Sequence, residues 1–144
     1  MINEPHCVYT VYMNKHSWIT ISQSDPRPLY LQVIGQIQRR VAVGDLPSGT
    51  ELPSIRQLAA DLAVSVITIK RAYLELEREG TITTRQGKGS VVSDQPGLQS
   101  SIAQREMQEH LEQAVQFGTL LGLSKTELQR RLVDAYEKMQ RNPT

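Results

Sequence analysis

The chain has 144 residues, with 16 Lys and Arg against 15 Asp and Glu and a formal net charge of +1. That length fits one domain, or one domain with a small appendage, and the near-neutral charge excludes a supercharged nucleic-acid tail and a polybasic membrane anchor. Apolar residues make up 39% and charged residues 22%, as in ordinary globular proteins, while 5% aromatics demand an aliphatic core.

The single cysteine, Cys7, excludes an intrachain disulfide framework and a Cys-rich zinc site. His6, His16 and His110 are scattered, and no Ser/His/Asp or Cys/His arrangement can be argued. Glu109 and Glu112 read as a helix surface. No apolar run approaches the ~18 residues of a membrane span, and no basic region followed by an apolar run marks a signal peptide. The expectation is a cytoplasmic protein that is not an enzyme, with no metal, no cofactor and no membrane partner.

Residues 1–16 show no periodicity, and Met13 offers an alternative start that would make 1–12 an upstream extension. Ser17 to Ile21 is β-branched and aromatic and predicts a short strand, which completes an N-terminal extension over 1–24. Asp25-Pro26-Arg27-Pro28 breaks regular structure. From Leu29 to Val43 the residues Tyr30, Ile34, Ile37 and Val41 recur at spacings 4, 3, 4, one face of a helix ended by Gly44. Ser54 opens a second helix, with Gln57 three residues on in a capping-box pattern. Its apolar face is Ile55, Leu58, Ala59 and Leu62. Ser65 caps a third helix that carries Ile69, Ala72, Tyr73 and Leu76 and stops at Gly80. Residues 81–85 and 90–93 predict two strands around a glycine-rich tip, Gln86-Gly87-Lys88-Gly89. Beyond the linker Asp94 to Gly97, residues 98–121 carry apolar positions at helical spacing. Gly122 ends that helix, and Ser124-Lys125-Thr126-Glu127 is a capping box for the last one.

The stretch 55–74, IRQLAADLAVSVITIKRAYL, holds two short amphipathic helices joined by a tight turn. Leu58, Leu62, Val64, Ile69 and Ala72 supply a shared seam, and Ala59 is small where the helices approach. That is a helix-turn-helix pattern, whose second helix can enter a major groove by its amino-terminal end. Short helix pairs also occur in cores that bind nothing. The strand, basic tip and return strand at 81–93 turn the pattern into a winged helix. Gly87 and Gly89 let backbone amides approach phosphates.

The segments PLYLQV (28–33), GDLPSGTELPSIRQLA (44–59), TIKRAYLELEREG (68–80) and QGKGSVV (86–92) resemble, in unbroken order, the DNA-binding domain of GntR-type bacterial transcription regulators. RAYLELE and the short C-terminal tail resemble the YtrA subfamily, typically small dimeric repressors often linked to transporter operons. The resemblance implies a mainly α (α+β) fold, with a winged helix-turn-helix domain over 25–95 followed by a two-helix dimerisation region over 96–144. It implies DNA contacts from Arg56, Ser65, Val66, Ile67, Thr68, Lys70, Gln86, Gly87 and Lys88. Lys70 and Arg71 lie about 100° apart on the helix, so at most one faces base edges and the other takes a phosphate or solvent.

Three positions depart from the family pattern. Val66 and Ile67 are apolar where many relatives carry Arg or another polar residue, so they can touch a thymine methyl but cannot hydrogen-bond a base edge. Ala63 stands where the turn usually has Gly.

The two C-terminal helices are too small to enclose a core between themselves. Their stripes (Met107, Leu111, Ala114, Gly118 and Leu121, then Leu128, Leu132 and Met139) must cover the winged domain or the same helices of a second chain. A two-fold homodimer would present two recognition helices to an inverted-repeat, palindromic operator in double-stranded DNA. Gly118 suggests close helix approach at that seam, or else a kink. There is no room for the large ligand-binding domain of bigger relatives, so a small-molecule effector would need a pocket near the helices. Two rival readings are a winged helix used for protein–protein contact, and a fragment of a pyridoxal-phosphate fusion enzyme, for which no Schiff-base lysine context is visible. The charges no longer argue against DNA once placed: Arg56, Lys70, Arg71, Arg85 and Lys88 fall on the proposed DNA-facing elements, while residues 95–144 hold six of each sign.

Overall fold

The computed structural model describes residues 18–142, which run α1 (Leu29–Ala42), α2 (Ile55–Leu62), α3 (Val66–Arg78), β1 (Ile82–Arg85), β2 (Gly89–Val92), α4 (Leu98–Leu120) and α5 (Lys125–Arg141). The alternative start at Met13, the extension before it, Cys7, His6 and His16 lie outside the described residues. Two compact units divide the chain after Ala103. The first turn of α4 therefore belongs to the first unit, where Leu98 and Ile102 are buried in the core. These two side chains follow the linker and tie the start of α4 to that core.

The first unit is a winged helix around one aliphatic core. α1 contributes Val33, Ile34, Ile37 and Val41, α2 Leu58 and Ala59, and α3 Ile69, Ala72, Tyr73 and Leu76. Each set follows the helical repeat read from the sequence, because burial on one side selects apolar residues every three or four positions. Tyr73 donates its buried hydroxyl to the Pro53 carbonyl at 2.7 Å, and burial pushes its pKa well above the ordinary tyrosine value. The buried Gln38 amide donates to Glu79 and to Thr81 Oγ1, so the polar groups inside are matched.

β1 and β2 pair antiparallel with Ile82 opposite Val92 and Arg85 opposite Gly89. The loop before α2 adds a short third rung: Leu52 N donates to Ser90 O at 2.9 Å and Val92 N to Thr50 O at 2.9 Å. In the sequence Gly44 to Gly49 is a turn-rich loop with Pro47 inside, and nothing local marks the pairing of residues 50–52 that follows it, which only the neighbouring strand creates.

The strand expected over 17–21 does not form. Ser17 lies outside the described residues, Trp18 sits in a turn, and 19–22 form no strand. Their backbone is satisfied by glutamine side chains of α1. Thr20 N donates to Gln36 Oε1 at 2.9 Å, Ser22 N to Gln32 Oε1 at 2.9 Å, and Gln32 Nε2 returns to Ser22 O at 3.2 Å. A carboxamide carries one acceptor oxygen and two N–H donors, so it replaces the neighbouring strand's pair of backbone groups. Ile19 still enters the core.

Ser54 Oγ accepts from Gln57 N as expected, but the Gln57 amide nitrogen goes to Asp61 Oδ1 at 2.7 Å instead of completing the box. α2 ends on Ala63 in the left-handed conformation, φ 52°, the one non-glycine with positive φ among the described residues. Val64 N to Ala59 O and Ala63 N to Ala60 O close the turn, so the geometry is over-determined and the methyl group carries the strain. Ala63→Gly is expected to raise the unfolding free energy by about 1 kcal/mol, read from urea denaturation. An unchanged midpoint would mean that no strain is stored there.

In the second unit Ser124 Oγ accepts from Glu127 N and starts α5. Arg130 and Arg131 beside Glu127 hold its carboxyl below the ordinary range. Leu123 N to Gly118 O and Gly122 N to Thr119 O close α4. A Cβ on Gly118 would meet Leu128 Cδ1 at 3.3 Å in the same chain. Within the single chain, the close approach that this glycine permits is with Leu128 of α5. α5 buries no residue.

Candidate nucleic-acid interface

The helix-turn-helix builds its outward face from the start of α3. Ser65 caps that helix: its Oγ accepts from Thr68 N at 3.1 Å and sits 2.8 Å from Thr68 Oγ1. The buried residues Ile69, Ala72, Tyr73 and Leu76 occupy one arc. The opposite arc carries Val66, Ile67, Lys70, Arg71 and Leu74. Ile67 is 80% exposed and Val66 47%. Two β-branched apolar side chains held in solvent at a helix start contribute nothing to this core. Leu74, also exposed, continues the arc one turn on and lies outside the apolar face of α3 read from the sequence.

Arg56 is exposed in the first turn of α2. The wing tip is a three-residue loop, with Lys88 N donating to Arg85 O at 3.1 Å. Gly87 at φ 78° and Gly89 at φ 70° adopt conformations that L side chains rarely reach. Gln86, Gly87 and Lys88 are all exposed. Arg85 differs from the sequence expectation, because it pairs with Asp94 at 3.0 Å and part of its charge is matched inside the chain. Arg71 is not free in solvent either: its guanidinium lies 3.9 Å above the Tyr30 ring of α1.

The second unit presents a different surface. Met107, Leu111, Leu121, Leu132 and Met139 of the apolar stripes are exposed in the single chain, together with Val115, Phe117, Leu120, Val133 and Tyr136, which the sequence stripes do not include. Ala114 and the half-buried Leu128 line a groove of about 510 Å³ with Leu111, Val115, Leu132 and Ala135. Among the described residues no helix is long and apolar enough to cross a membrane, and no cluster of His, Cys, Asp and Glu could hold a metal.

Residues 29–92 match the family model described as bacterial regulatory proteins, gntR family. The HTH-type transcriptional regulator YhcF of Bacillus subtilis (strain 168) is 35% identical over 102 residues, which cover 71% of this chain and 84% of YhcF. The chain belongs to the gntR family. It is a transcriptional regulator with a GntR DNA-binding domain, and the relatives it matches are regulators and not enzymes. The HTH-type transcriptional repressor YtrA of the same bacterium is 41% identical over 75 residues, 50% of this chain and 58% of YtrA. Among solved structures, a GntR family transcriptional regulator from Listeria monocytogenes superposes with a TM-score of 0.67 at 27% identity, covering 79% of this chain and 96% of that one. The winged helix with a helical C-terminal region is therefore the family's fold, as the sequence motifs implied.

Proposed function

We propose that the protein is a homodimeric repressor that binds an inverted-repeat operator, with α3 in the major groove and the wing beside it. The observation that carries this reading is the amino-terminal face of α3, where Val66, Ile67 and Lys70 stand in solvent on a helix whose other side fills the core. The bases would meet Val66, Ile67, Thr68 and Lys70. Ser65 would sit at the backbone, and Arg56, Arg71 and Lys88 would neutralise phosphates, with Gln86 and Gly87 at the wing tip. Repression is supported by the likeness to YtrA, which is itself named a repressor. A dimer is supported by the apolar faces of α4 and α5, since contiguous exposed apolar surface of this kind marks an interface.

Two side chains that make no hydrogen bond restrict what the site can read. Their partner of choice is the thymine methyl, so selection from random duplexes is expected to enrich T·A pairs where Val66 and Ile67 stand. Enrichment without thymine there would count against the reading. The selected site should be an inverted repeat, and its footprint two-fold symmetric. Affinity should fall steeply with salt as phosphate-bound counterions are released. An absence of specific sites and of salt dependence would favour a winged helix used for protein contact.

A further inference from the structure

On the DNA-binding reading above, we propose that Tyr30 of α1 is a positioning residue that holds Arg71 as a phosphate anchor, which leaves Lys70 as the cation that faces base edges. The Arg71 guanidinium stacks on the Tyr30 ring at 3.9 Å, and its Nη2 donates to the Tyr30 hydroxyl at 3.1 Å. Two independent contacts therefore orient one flexible side chain. The contact joins residues 41 apart in sequence, so it ties the start of α1 to the exposed arc of α3.

Stacking and the hydroxyl bond together turn the guanidinium sideways, toward α1 and away from the centre of the arc. Counting about 100° per residue from Val66, Lys70 falls at about 40°, Ile67 at about 100° and Arg71 at about 140°, so the two cations lie on opposite sides of Ile67, and the Tyr30 contact marks the Arg71 side as the one beside α1. A helix seated in a major groove presents its middle to base edges and its flanks to the sugar–phosphate walls. A cleft of about 480 Å³ opens at that flank, lined by Pro28, Leu29, Tyr30, Ile67, Thr68 and Arg71. α1 has no acidic residue in its first turn, so no carboxylate of that turn competes for the guanidinium. One donor of the fork is used by the hydroxyl, and the remaining N–H groups suit a phosphate's paired oxygens. Tyr30 limits the rotamers that Arg71 would otherwise surrender on binding, which is a gain from preorganisation.

The test uses the full chain, its selected operator duplex and a scrambled duplex of the same length, with affinity measured across a KCl series. Arg71→Ala is expected to weaken both duplexes by a similar factor, about tenfold, and to lower the salt slope by about one per protomer. Tyr30→Leu is expected to weaken both by about threefold, from the lost stack. Tyr30→Phe, which keeps the ring, should recover most of that loss, and Arg71→Lys should keep the salt slope. In the Arg71→Ala background, Tyr30→Leu should cost nothing further. An equal cost of Tyr30→Leu in both backgrounds overturns the positioning role. A loss confined to the operator with the slope unchanged makes Arg71 a base reader and overturns the proposed division. If Tyr30→Leu also lowers the urea midpoint, the Tyr30→Phe and Arg71→Lys variants decide. Wild-type protein that binds neither duplex in a salt-dependent way would instead refute the DNA reading beneath.

Discussion

Leu111→Glu combined with Leu132→Glu is expected to make the protein monomeric in sedimentation and to weaken operator binding by about a hundredfold or more. Both side chains line the apolar groove of the second unit and both are exposed in the single chain. Leu132 is 57% and Leu111 38% exposed, so the replacement removes part of their burial within the chain, and helix content by circular dichroism is expected to stay unchanged. In a two-fold assembly each substitution occurs twice, so four carboxylates would have to be desolvated against apolar neighbours. The affinity loss follows from valency: two half-sites engaged by linked recognition helices gain an effective local concentration that two separate chains lack. A half-site duplex should be bound equally by both proteins. A double variant that sediments as a dimer with undiminished operator affinity would remove α4 and α5 from the proposed interface.

Leu58→Ala should cost about 3 kcal/mol of stability, one of the larger effects available to a single substitution in this core. Leu58 is fully buried on α2, where α2 packs against α3. Truncation leaves a cavity between the two helices of the helix-turn-helix, and the short α2 has few other apolar contacts to close it. For a unit of this size the loss corresponds to a drop in Tm of roughly 15 °C, read by calorimetry. Specific DNA binding should vanish near the new midpoint and be near normal well below it, because Leu58 faces away from the exposed arc of α3. A shift of only a few degrees would mean that the seam repacks around the smaller side chain.

These two expectations draw on different kinds of legibility. The helix-turn-helix core was readable residue by residue, since Leu58, Ile69, Ala72 and Leu76 repeat with the helical period and the caps Ser54, Ser65 and Ser124 announce each start. At Ala63 the sequence showed only Ala where the turn usually has Gly, and the structure supplied the left-handed φ of 52°. The strand expected at 17–21 failed for a physical reason: β-branched composition reports a preference for extended backbone but not the presence of a neighbour, and here the partners are Gln32 and Gln36. At Gly118 the small size signalled a close approach without naming the partner, and within the chain that partner is Leu128.

What the sequence determined by itself is therefore the order of elements, the buried faces, the wing and the family, all of which depend on local periodicity, caps and motif spacing. Only the tertiary structure decided which distant side chains meet. It set Arg71 on Tyr30, matched Arg85 with Asp94, placed residues 50–52 beside β2 and laid Gly118 under Leu128. Such contacts join residues that no local pattern links, because their free energy comes from groups brought together only when the chain has folded.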